Sequence, residues 1–132
     1  MGMTLSVAFK KKVPGHGTLG SDHVDLGDNV GRLDKLLKKA KLTELQTFHS
    51  ADPAEFVELF DLDEDDPSLE PEQWFEAADG LAAVRGAIGY VEANATALRG
   101  VRDEVLEDLR DVEQELLLAE TKRVKFHFAL LD

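Results

Sequence analysis

Two runs of apolar residues constrain this chain more than anything else in it. Leu81, Val84, Ile88, Val91, Ala95 and Leu98 follow one another at alternating steps of three and four, and Val105, Leu109, Val112, Leu116 and Ala119 repeat the pattern. Residues at such intervals share one face of an α-helix. The spacing predicts a helical pair from about Asp79 to Thr121, with Asp79 as the first N-cap. A helix with one apolar stripe must bury it, so the two pack against each other and against something flat.

The flat element is predicted at the two ends of the chain. In Thr4–Phe9, Leu5, Val7 and Phe9 alternate with Thr4, Ser6 and Ala8, and Lys10–Lys12 end the run. In Val124–Leu130, Val124, Phe126, Phe128 and Leu130 alternate with the rest. Period two marks half-buried strands. A lone strand leaves its backbone hydrogen bonds unmade, so the terminal strands are expected to pair, with a third strand drawn from the 20s or 40s because two alone are marginal. Residues 13–29, with Gly15, Gly17, Gly20 and Gly27, read as a loop holding a short extended piece at His23–Leu26. Asp28 or Asn29 then caps a helix that turns Val30, Leu33, Leu37 and Ala40 inward, with lysines crowding its last turns. Asp52-Pro53-Ala54-Glu55 has the form of a further helix start, anchored by Phe56, Val57 and Phe60. Pro71 opens a turn whose Trp74 and Phe75 dock on the core. The expected fold is a single α+β domain over residues 1–132. In it the N- and C-terminal strands pair in a small, mainly antiparallel sheet, covered by a helical layer with a long C-terminal helix pair.

Charge is distributed unevenly. Residues 44–79 carry 13 of the 27 acids and no Lys or Arg, which leaves 14 acids against all 15 bases elsewhere. The whole net charge of −12 therefore arises in one segment. Such a face repels nucleic acid and anionic lipid and steers in a basic partner or a cation. There are no cysteines, hence no disulfide or thiolate chemistry. No stretch is long and apolar enough to span a membrane, and the charges of Lys10–Lys12 follow the first apolar run, the wrong order for a secretory signal. A cytoplasmic protein is expected.

Several motifs are tempting. Gly15-His16-Gly17-Thr18-Leu19-Gly20 matches G-x-G-x-x-G after a strand, but a dinucleotide site needs a helix opening at the last glycine, and Asp22 and Asp25 oppose a phosphate. Asp61, Asp63 and Asp65 with Glu72 twelve positions in have the carboxylate spacing of an EF-hand loop. Asp66 stands where that loop needs glycine, and Ser68 where it has an apolar residue, so the cluster is read as a weak calcium or magnesium binder and no dedicated cofactor is expected. Met1-Gly2 with Ser6 fits the myristoylation pattern, but the glycine lies two residues from an expected central strand. His16, His23, His49 and His127 show no metal-ligand spacing. No nucleophile elbow is present, and spacing alone picks no general acid and base among 27 acids. Trp74, the sole Trp, and Phe75 sit beside the acidic run, where an aromatic rimmed by carboxylates has the form of a protein-binding hot spot.

The sequence from Trp74-Phe75 and Gly80-Leu81 through the helix pair to Val124-Lys125-Phe126-His127-Phe128 resembles small uncharacterised bacterial proteins, among them immunity-type proteins that neutralise secreted toxins. The opening Met1-Gly2-Met3 is similar to the YfbM-like family. The resemblance brings no catalytic residues. The leading reading is a non-enzymatic, immunity-like module that binds a basic protein partner through Phe60, Asp61, Asp63, Asp65, Asp66, Trp74 and Phe75. The alternative is a small enzyme or ligand binder with a pocket between sheet and helices, in which Asp61, Asp63, Asp65 and Glu72 hold a divalent cation. The long amphipathic helices also allow a homodimer.

Overall fold

A computed structural model describes residues 3–51, 57–58, 61, 63 and 71–131. In chain order these form β1 (Thr4–Val13), β2 (Gly17–Leu19), α1 (Val24–Lys39), a 3₁₀ turn (Leu45–Phe48), α2 (Ala77–Ala93), α3 (Arg102–Thr121) and β3 (Phe126–Leu131). The fold is α+β, with strand order β2-β1-β3 and both pairings antiparallel. The terminal strands do pair: Thr4 faces Leu131 and Phe9 faces Phe126. No helix among the described residues is long and apolar enough to cross a membrane.

Leu5, Val7 and Phe9 of β1 and Phe126 and Phe128 of β3 are buried under the helices. Val84, Leu109, Val112 and Leu116 press on them from α2 and α3, and Leu33 and Leu37 from α1. Phe48 projects from the 3₁₀ turn into an aromatic group with Phe75, Phe126 and Phe128, its centroid distances 5.4, 5.6 and 6.2 Å. The turn itself is held by buried Asp34, whose carboxylate accepts the amides of Leu45 at 2.7 Å and Gln46 at 3.0 Å. Two extended stretches protect the outer edge of β3. Phe75 exchanges both backbone hydrogen bonds with Phe126, and Ser50 donates its amide to Phe128. An edge left open would invite pairing with another chain.

Element ends differ from the sequence expectations. β1 does not stop at Lys10–Lys12: their side chains are exposed, so charge on them does not oppose pairing, and the strand runs to Val13 before a hairpin at Pro14–His16. The third strand falls at Gly17–Leu19, just ahead of the 20s, while His23 and His49 contribute single bridges to Leu5 and Phe128. α1 begins at Val24 rather than at Asp28 or Asn29, which replaces the extended piece expected at His23–Leu26. Its cap comes from another helix: Asp108 of α3 accepts the Leu26 amide at 2.9 Å. A cap supplied across the fold leaves no local signature. Val30, Leu33 and Leu37 face inward as expected, whereas Ala40, past the helix end, is exposed.

α2 begins at Ala77, so Asp79 lies in its first turn instead of capping it, a position where a carboxylate still favours the helix dipole. α2 ends at Ala93. Ala95 is therefore exposed, and Leu98 reaches the core from the connecting turn with φ +53°. Of the helix expected from Asp52, Val57 and Glu58 are helical, whereas Asp52–Phe56 and Phe60 lie outside the described residues. The segment after Pro71 forms neither a turn nor a regular strand; only Phe75 within it makes a bridge.

One buried polar group joins three elements. His23, at the start of α1, sets Nε2 2.9 Å from Oε1 of Glu115 on α3, and the same oxygen receives the Ser21 amide. Burial alone would lower the His23 pKa. The hydrogen bond and charge of Glu115, then the charges of Asp108 and Asp111, outweigh it and hold the imidazole above its ordinary value.

Candidate functional site on the open face of the sheet

The face of the sheet away from the helices carries the side chains that alternate with the core set. The register places Ala8 between Leu19 of β2 and His127 of β3, and Ala129 follows two residues along. Alanines at the centre leave space where larger side chains would fill it. A cavity of about 360 Å³ lies there.

Its wall is built by the Phe75–Phe126 backbone pairing. In an extended chain successive side chains point opposite ways. With Phe75 turned into the core, Trp74 and Glu72 fall on the open side. The indole of Trp74 lies over the imidazole of His127 at 4.7 Å between centroids, tilted by 48°. Glu72 Oε2 meets His127 Nε2 at 2.8 Å, and His127 Nδ1 faces the Phe128 carbonyl at 3.2 Å. The ring is thereby buried although its strand face is open, and each of its nitrogens faces an oxygen. His49 and Ser50 border the same cavity, with Lys10 and Thr18 at its rim. Partial desolvation, and secondarily His127, hold the His49 imidazole below its ordinary value.

Of the residues singled out by sequence, the structure brings Trp74 and Glu72 together and puts Phe75 on the opposite side, packed on Phe48 and Phe126. Trp74 and Phe75 do not form one aromatic surface. Asp61 and Asp63 are exposed, while Phe60, Asp65 and Asp66 lie outside the described residues. Glu72, expected with the aspartates, directs one carboxylate oxygen to His127. His49, Ser50 and Lys10 gave no sequence signal, because only the register and the Ser50–Phe128 hydrogen bond bring them to the cavity. The G-x-G-x-x-G run forms the hairpin, with Gly15 and Gly17 at φ +86° and +62°. Gly20 abuts the Glu115 carboxylate so closely that a Cβ there would collide with it, a setting hostile to phosphate.

A second cavity, about 440 Å³, opens between Leu42–Thr43 and the first turns of α2, but Asp79 is its one ionisable side chain among the described residues. The open-face cavity is where titratable and aromatic groups converge. No family model matches this chain, and no curated protein or solved structure matches it either.

Proposed function

We propose that the protein is a non-enzymatic binding module that receives a basic protein partner at the open-face cleft, in the manner of an immunity-type protein. The observation that carries this reading is the position of Trp74. The indole is half-buried on His127, fronts a floor of Ala8 and Ala129, and stands beside Glu72 within the segment of 13 acids and no bases. A lysine or arginine side chain offers an apolar stem to such a floor and a cationic head to an indole face and a carboxylate. The acidic segment Glu44–Asp79 supplies the long-range attraction that speeds encounter, and the desolvated contact at Trp74 sets the residence time.

The test uses a fluorescein-labelled Lys/Arg-rich peptide and its Glu-substituted counterpart, with Trp74 emission as a second readout. The expected result is salt-sensitive binding of the basic peptide alone, weakened roughly tenfold or more by Trp74→Ala and Glu72→Gln, in line with a central contact of about 1.4 kcal/mol or more. Charge reversal at Asp61, Asp63 and Asp65 slows association and flattens its salt dependence. Equal binding of both peptides, or indifference to all these changes, overturns the reading.

A second reading is favoured by the cavity itself. About 360 Å³ lined by His49, Ser50 and His127 lies within the roughly 300–1,000 Å³ of small-molecule sites. A fragment screen by NMR separates the two: shifts confined to Ala8, His49 and Ala129, with no peptide binding, favour a small ligand. The calcium or magnesium site at Asp61, Asp63, Asp65 and Glu72 is tested in the same sample, since a saturable change in Trp74 emission at sub-millimolar ion supports it.

A further inference from the structure

We infer that a divalent transition-metal ion of the zinc class binds where the start of α1 meets the middle of α3, on His23 Nδ1, Asp108 and Asp111. Each of these residues offers one ligand atom, and the three atoms lie within 4.8 Å of one another. Asp108 and Asp111 are three apart on α3, so one face of that helix presents both carboxylates. His23 approaches them from the N-terminus of α1.

The decisive feature is the ring nitrogen between them. His23 is 2% exposed, and its Nε2 is occupied by Glu115. Nδ1 has no hydrogen-bond partner among the described residues, and the Asp108 Oδ1 that it faces is 3.9 Å away. That separation is too long for a hydrogen bond. It is within reach of one shared ion: zinc ligands at about 2.0–2.2 Å sit about 3.4 Å apart in a tetrahedral site, so a closure of a few tenths of an ångström brings the two atoms to that spacing. The surroundings hold both ligands in this pose. The Leu26 amide holds Asp108 Oδ2 at 2.9 Å, which turns Oδ1 to the imidazole. In the neutral ring Glu115 accepts from Nε2–H, which leaves the Nδ1 lone pair for the ion, the carboxylate–histidine–metal arrangement in which an outer carboxylate fixes the tautomer. Glu115 Oε2 is buried with no hydrogen-bond partner among the described residues.

The donor set fixes the class of ion. One imidazole with two carboxylates suits zinc and its first-row neighbours, whereas calcium prefers an all-oxygen shell of six to eight ligands. Asp111 is exposed at the mouth of the cluster, which leaves room for coordinated water and a path for entry.

The experiment titrates metal-free full-length protein at pH 8 with Zn²⁺ by calorimetry and with Co²⁺ by visible absorption, and follows the His23 ring nitrogens by ¹⁵N NMR. One equivalent is expected to bind, with a Co²⁺ ligand-field band and a large shift of Nδ1 but not of Nε2. Asp111→Asn, an exposed change that leaves the fold intact, and His23→Gln each weaken binding roughly tenfold or more. His127→Gln, in the open-face cleft, leaves it unchanged. Absence of saturable binding, equal affinity in Asp111→Asn and His23→Gln, or loss of binding in His127→Gln overturns the assignment.

Discussion

The indole of Trp74 lies 4.7 Å from the imidazole of His127, and this contact makes one wall of the open-face cleft. Truncating His127 to Ala removes the surface on which Trp74 rests and the partner of Glu72. We expect a loss of about 1–3 kcal/mol in urea unfolding and a red shift of the emission of the sole Trp as the indole gains solvent. Glu72→Gln keeps both the ring and a hydrogen-bonding group, so it should cost under about 1 kcal/mol and leave the emission in place. If the two variants behave alike, the wall is not held by ring contact.

His49 gives this site a pH signature. Burial first, and the facing His127 second, hold its imidazole below the ordinary value of 6.5. Folding therefore favours the neutral ring. The corresponding stability is present above the unfolded value and is lost as pH falls through the folded one. An NMR titration of the His49 ring should give a midpoint below 6.5, and His127→Gln should raise it without abolishing the shift, because burial is the larger cause. His49→Gln should lose less stability than wild type between pH 7 and pH 5.

Two glycines of α2 test its packing. A Cβ on Gly80 would run into the Phe126 ring, whereas Gly86 has open space around it. Gly80→Ala must displace a fully buried ring and should cost roughly 1–3 kcal/mol. Gly86→Ala adds helix propensity in an unobstructed position and should add about 0.5–1 kcal/mol. Thermal melts of the pair should move in opposite directions.

The parts of the fold legible in the sequence were those whose cause is local. The three-four spacing from Leu81 to Leu98 and from Val105 to Ala119, and the alternation in Thr4–Phe9 and Val124–Leu130, are read from neighbours a few residues apart; both terminal strands pair, although the first helix stops at Ala93 and the last strand starts at Phe126. The start of α1 was illegible because its cap, Asp108, lies 82 residues away. The cleft was half legible. His127 stands on the face opposite Phe126 and Phe128, and Glu72 shares a side with Trp74, but no spacing rule says that the two faces meet. The His23 cluster was hidden for the same reason: Asp108, Asp111 and Glu115 fall at steps of three and four on α3, but the helix is charged along most of its length and nothing local sets these three apart.

Helix ends were illegible for a chemical reason that yields a further prediction. α1 and α3 both finish in Schellman motifs. Lys41 donates its amide to Lys38 and Leu42 to Leu37; Arg123 donates to Glu120 and Val124 to Ala119. Each motif needs a left-handed residue after the cap, and that residue is usually glycine. Here Lys41 and Arg123 occupy it at φ +60° and +56°, so the usual stop signal is missing. Both side chains are exposed, and a left-handed conformation costs an L-residue roughly 1–2 kcal/mol relative to glycine. Lys41→Gly and Arg123→Gly should therefore each stabilise the fold by up to about 1 kcal/mol after the greater unfolded-state freedom of glycine is counted. Alanine at the same positions keeps the strain and should gain nothing. Equal melting temperatures for the glycine and alanine variants would show that the helices do not end in this geometry.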